Sequence, residues 1–195
     1  MKHYQLKAII NYLKNFKNIK HIKRVQNSTI KVEFDNRSII YFDLTKGSTN
    51  IFKSDNALES KSFNAPFDTI LQKKLTNSSI ENIELVNNDR LVRFTLNVKS
   101  SYKQEKVYLQ LEFTGIHTNV IILDSNMVVI EALRHISENI SSRIVKVGQK
   151  LEEIPTKPFN PKEEDIDDIE KFLYDNYKQK EENEQIGRAS CRERV

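Results

Sequence analysis

Asp89 and Arg90 are adjacent, directly after Asn87-Asn88 and directly before the apolar run Leu91-Val92-Arg93-Phe94. Asparagine and aspartate favour turns, so the pair is expected at the tip of a β-hairpin. A guanidinium held there can grip a phosphate through two parallel hydrogen bonds. A carboxylate beside it can accept hydrogen bonds from a ribose or a base edge. The purely structural alternative is an aspartate that caps the turn with the arginine ion-paired next to it. A second basic group, Lys14, Lys17, Lys20, Lys23 and Arg24, lies among or near Tyr4, Tyr12, Phe16 and Tyr41, and Lys73-Lys74 forms a third. Basic residues interleaved with aromatics suit RNA contact; a solvated lysine face is the competing reading.

Other chemistry is poorly supplied. The chain has no GxxxxGK[ST] phosphate loop, no GxGxxG turn and no HExxH, so none of these signatures of phosphate, dinucleotide or zinc chemistry is present. His3, His21, His117 and His135 are scattered without ligand spacing, and no metal and no cofactor are expected. The only cysteine, Cys191, falls in the closing segment 186–195, IGRASCRERV. That segment carries no apolar period and resembles the translation of a common sequencing adapter, so it is set aside as an artefact. Setting aside its three arginines and one glutamate lowers the formal charge from +4 to +2, too little for bulk basicity to argue nucleic-acid binding. The same reading expects the gene to continue past Gln185. No apolar run approaches the roughly 18 residues of a bilayer span and no secretory segment follows Met1, so a cytoplasmic protein without a membrane partner is expected.

The elements that must position these residues follow from periodicity. Leu6, Ile9, Ile10, Leu13 and Phe16 mark an amphipathic helix over 4–17. Ile30, Val32 and Phe34 alternate with Lys31 and Glu33, the period of a half-buried strand, and Ser38 to Leu44 returns from the turn at Asp35-Asn36-Arg37. Pro66 opens a short helix with Phe67, Ile70, Leu71 and Leu75 on one face. Strands are expected at 80–85, 91–98, 107–113, 119–123 and 128–133, with Lys99 to Lys106 as a charged connection and Ser125-Asn126 as a hairpin turn. Asn160-Pro161 with Glu163 starts another helix after the linker Pro155 to Pro158. The fold class is α+β: antiparallel β-strands with flanking helices.

One stretch points to a family. Leu109 to Asp124 reads LQLEFTGIHTNVIILD and resembles the LxxELxGxxxNxxLxD pattern of the NFACT family, whose members include bacterial ribosome quality-control factors and proteins called fibronectin-binding. Pro66-Phe67 with Ile70-Leu71-Gln72-Lys73-Lys74-Leu75 resembles the family's P-F-x-x-x-LRKxL helix. Asp89-Arg90 resembles its DR pair, and Ala132-Leu133-Arg134 and Arg143 to Gly148 resemble its ALR and RxxxxG elements. The resemblance covers roughly residues 4–155. It implies an N-terminal NFACT domain over 1–155, a linker and the start of a helical middle domain over 156–185, and the artefact over 186–195.

The resemblance implies a function as well. Such proteins bind a large ribosomal subunit with an obstructed nascent chain, recruit tRNA, and direct untemplated C-terminal tailing, with alanine in bacteria. Asp89 and Arg90 inherit the tRNA-binding role. Lys73, Arg134 and Arg143 are candidate RNA contacts, the two arginines equally readable as buried pairing partners. Gly115 is expected to supply a turn and Asn119 to hydrogen-bond the turn backbone. The implied fold is similar to the N-terminal domain of formamidopyrimidine-DNA glycosylases. Those enzymes need an N-terminal Pro-Glu, and Lys2-His3 stands here instead, so no glycosylase and no other catalytic centre is expected. Two departures bear on the tRNA contact: Tyr4, Gln5 and Lys7 occupy a region where many members are acidic, and Gln72 replaces the usual arginine. The alternative function is a fibronectin-binding surface adhesin.

Overall fold

In the computed structural model, residues 1–54, 58–59, 61–87, 89–99, 104–139, 143–155 and 177–178 are described. The helix expected from Asn160, most of its apolar stripe, and the segment 186–195 with Cys191 lie outside the described residues.

Helix α1 runs His3–Leu13 and buries Leu6, Ile9, Ile10 and Leu13. It stops four residues short of the end expected at 17. The Asn15 side-chain amide donates to the Tyr12 carbonyl at 3.0 Å and turns the chain, which is how asparagine competes with helical hydrogen bonding. Phe16 keeps its place in the core by stacking on Phe34, ring centroids 4.2 Å apart.

Among the described residues nine strands follow: β1 Asn18–Gln26, β2 Thr29–Phe34, β3 Ile39–Thr45, β4 Ser48–Phe52, then after helix α2 Pro66–Leu75, β5 Ser78–Leu85, β6 Leu91–Lys99, β7 Gln104–Glu112, β8 Asn119–Asp124 and β9 Val129–Ala132. They form one antiparallel sheet in the order β4-β3-β2-β1-β5-β6-β7-β8-β9. Strand β7 begins earlier than the expected connection allowed, because Gln104 to Lys106 pair in register with Asn97 to Lys99. Salt bridges from Lys74 to Glu105 and from Lys106 to Glu81 give these polar residues cross-element partners.

Two meanders, β1–β4 and β5–β9, meet at a short seam of only two residue pairs, Asn18↔Ser79 and Ile19↔Ser78. The sheet folds back across that seam. Phe42 of β3 meets Phe94 of β6 edge to face, centroids 6.1 Å apart, although the two strands are not sheet neighbours. The closure is polar at the rim: the Gly47 amide donates to the Gly115 carbonyl at 3.1 Å and the Thr118 hydroxyl to the Leu44 carbonyl at 2.7 Å. The core between the layers draws on α1, α2 and both meanders. The α+β class expected from the sequence is what the chain adopts.

Helix α2 is fixed at its start. Asp68, 1% exposed, accepts from the Ala65 amide at 3.0 Å and takes both arms of Arg24 at 2.7 and 2.6 Å. An acid in the first turn and Lys73-Lys74 in the last both complement the helix dipole.

Candidate functional site

Strand register collects six of the seven expected site residues at one end of the β5–β9 meander. Leu91 opens β6 opposite Glu112, which closes β7, and Glu112 is opposite Asn119, which opens β8. Asp89 and Arg90 precede Leu91, Gly115 lies between β7 and β8, and Arg134 follows β9. Arg143 reaches the same rim through Glu112. Lys73 does not join them. It lies beside Val98, Lys99 and Glu105, at the far end of the β6–β7 hairpin, about 25 Å away along nine-residue strands.

Asp89 and Arg90 form the β5–β6 turn, but they do not both project into solvent. Asp89 is 4% exposed, and its Oδ1 accepts from the Arg90 amide at 2.7 Å. Its own amide donates to the Val86 carbonyl at 3.0 Å. The aspartate therefore shapes the turn, because an unpaired carboxylate could not be buried there. Arg90 is half-buried. Its carbonyl accepts from the Phe113 amide at 2.8 Å, and its guanidinium points toward the Met1 carbonyl at 3.5 Å. A hydrogen-bonded turn thus carries a half-buried arginine.

Gly115 adopts φ +68°, and a methyl group added there would meet nothing within 4 Å. The backbone angle alone calls for glycine. It opens a single 3-10 turn, Gly115–His117, that leaves Ile116 66% exposed. Asn119 is fully buried and works as a clasp. Its amide donates to the Arg134 carbonyl at 2.8 Å. Its Oδ1 accepts from the Val120 amide at 2.9 Å and the Arg134 amide at 3.0 Å.

The two candidate arginines resolve toward pairing. Arg134 donates to the Thr118 carbonyl at 2.9 Å, the Ser28 hydroxyl at 2.6 Å and the Leu44 carbonyl at 3.3 Å, tying the two meanders together. Burial, and then the nearby Arg24 guanidinium, lower its pKa, with Asp43 opposing; it stays a cation at any ordinary pH. Arg143 grips Glu112 with both arms at 2.6 and 3.0 Å, and Glu112 is 2% exposed.

Sequence reasoning passed over the residues behind this grip. Gln110, 1% exposed, accepts from Arg93 at 2.9 and 3.1 Å and donates to Glu112 at 2.7 Å. The result is a continuous Arg93–Gln110–Glu112–Arg143 chain. Alternation in β7 marks Gln110 and Glu112 as an outward polar face; the signal that would have found the chain is the cross-strand pairing of Arg93 with Gln110. The basic and aromatic group near α1 also needs correcting. Phe16 and Tyr41 are buried and cannot stack on bases. Tyr12 bonds the Lys53 ammonium at 2.6 Å, and Arg24 is committed to Asp68. Lys14, Lys17 and Lys20 remain exposed. Among the described residues no group of three or more histidine, cysteine or acidic side chains could hold a metal, and no helix is long and apolar enough to cross a membrane.

Solved structures share this fold. The N-terminal part of a fibronectin/fibrinogen-binding protein from Streptococcus suis superposes with a TM-score of 0.72 at 23% identity, over 80% of this chain and 61% of that one. The N-terminal domain of the fibronectin-binding protein PavA from Streptococcus pneumoniae gives 0.71 at 23% identity, over 87% and 66%. In sequence, the Rqc2 homolog RqcH of Streptococcus suis is 31% identical over 99 residues, which make up 49% of this chain and 18% of the relative. Its Streptococcus pneumoniae counterpart is 29% identical over the same share. Residues 4–189 match the family described as NFACT N-terminal and middle domains, and the chain belongs to that family.

Proposed function

We propose that this chain is a tRNA- and large-ribosomal-subunit-binding module of a ribosome quality-control factor, one that directs C-terminal alanine tailing of obstructed nascent chains without bond chemistry of its own. Family membership and the likeness to RqcH support the quality-control role. The observation that carries the site is Arg90: a half-buried arginine on a turn held by buried Asp89 and by the Phe113 hydrogen bond. Asp89 and Arg90 then act unequally. Arg90 contacts the RNA phosphate, and Asp89 holds it in place. Gly115 and Asn119 build the rim, and Arg134 and Arg143 brace it.

Arg90→Ala tests the reading. A charge-assisted phosphate contact is worth about 1.5–3 kcal/mol, so tRNA affinity should fall by tenfold or more with an unchanged melting temperature. The same change in the chromosomal gene should abolish alanine tailing. A folded variant that binds tRNA and tails normally sinks the assignment. The adhesin reading draws on names of structures 22–23% identical, a likeness that carries the fold alone.

A further inference from the structure

We propose that the outer face of the β1–β4 meander is the seat of an acidic segment of this same chain, the one that ends on Tyr177. Pairing register lays one row across that face: Lys23 of β1 opposite Lys31 of β2, Lys31 opposite Tyr41 of β3, and Tyr41 opposite Phe52 of β4. Residues directly opposite one another in an antiparallel sheet share a face, and the neighbours Ile40, Phe42 and Ile51 point the other way, into the core. The row is therefore basic at one end and aromatic at the other. Its aromatic end is covered. Tyr41 is 2% exposed, Phe52 0%, and Val25 beside them 1%. Leu58 and Tyr177 pack against this cluster. The Tyr177 ring lies 5.2 Å from that of Phe52, which stacks in turn on Tyr41 at 5.3 Å.

The residues that lead to Tyr177 complement the other end of the row. Positions 163–177 read EEDIDDIEKFLYDNY, seven acids against one lysine. Ile166, Ile169 and Leu173 precede Tyr177 at helical spacing, and Tyr177 and Lys178 are themselves helical. Asp167, Asp168 and Glu170 come seven to ten residues before Tyr177, about 10–15 Å along a helix axis. Along the row Lys31 is two strands from Phe52 and Lys23 three, about 10 and 14 Å. The two spacings match, so a helix anchored by Tyr177 on Phe52 brings its carboxylates to the lysines. Lys61, held beside Val25 by a 2.9 Å backbone bond, adds a third cation, against Glu33 on the same face of β2. The tether favours the chain's own segment over a second copy, because attachment supplies a local concentration in the millimolar range. The aromatic anchor sets the position of this latch, and the charges set a strength that salt tunes.

The test is carbodiimide cross-linking of the 195-residue chain, which joins a lysine to a carboxylate in direct contact, with the linked peptides identified by mass spectrometry. Lys23 or Lys31 should be found joined to 163–170 in the monomer band, and salt at about 1 M should reduce the yield severalfold. Tyr177→Ala should cut the yield about tenfold and speed protease cleavage within 156–176 by a similar factor. Asp167→Asn, Asp168→Asn and Glu170→Gln together keep the shape and remove the charge. They should speed the same cleavage severalfold and make its rate insensitive to salt. Arg90→Ala should change none of these readouts, so the latch and the RNA reading fail separately. The proposal falls if no such link forms. It falls if the link forms only in the dimer band, which would seat a second copy on this face. It falls equally if both variants, folded by circular dichroism, are cut at the parental rate.

Discussion

Replacing Arg143 by alanine separates its two readings, brace and RNA contact. In the folded chain Arg143 closes on Glu112 with two bonds of 2.6 and 3.0 Å, while Gln110 supplies a third at 2.7 Å. Removing one partner of a buried pair costs about 3–5 kcal/mol, because the other charge stays behind without compensation. Gln110 remains in place, and the Arg143 side chain is 19% exposed against 2% for Glu112, so the lower end, about 3 kcal/mol, is expected. For a chain of this size that lowers Tm by about 9 °C, measured by calorimetry or circular dichroism. Adding Glu112→Leu should recover part of the stability, because it removes the stranded charge, although the buried Gln110 amide then loses its acceptor. The exposed Glu81–Lys106 pair is the control. Lys106 holds the Glu81 carboxyl below its usual pKa and is itself raised, yet Glu81→Ala should leave Tm unmoved because water screens the pair. An Arg143→Ala variant that melts with the parent would refute the buried-brace argument. A stable double variant that has lost tRNA affinity would make Arg143 an RNA contact instead.

Two further outcomes probe the rim. Gly115→Ala has room for its methyl group and pays only for the positive φ, so thermal melts should show a loss of about 1 kcal/mol; a loss on the scale of a core truncation would mean that another segment approaches closely there. Asn119→Ala removes three hydrogen bonds from a fully buried position, a loss of about 3 kcal/mol. Amide exchange at Arg134 should speed up in the same variant, and unchanged protection there would argue against the clasp.

The elements were legible because their signals are local. Period-two alternation in β2 and β6, helical spacing in α1 and α2, and asparagine-rich turns each depend on a few neighbouring residues. The α+β class and the hairpin at Asp89-Arg90 follow from these, and the glycine at 115 follows from the backbone angle that its turn demands. What a polar side chain does depends on residues far away in the chain. Asp89 lies on a turn by its sequence and in the interior by its tertiary surroundings. Arg24 belongs to a lysine-rich run by its sequence and to Asp68, 44 residues on, by its geometry. Arg143 could be brace or contact until Glu112, 31 residues before it, came into range. The sequence by itself determined the α+β class, most of the strands, the two described helices to within a turn, and the family they make. Only the folding of one sheet back on itself decided which charges are buried in pairs and which, like Lys73 and Lys99, stay exposed. Burial and pairing are properties of the closed sheet, and no local period encodes them.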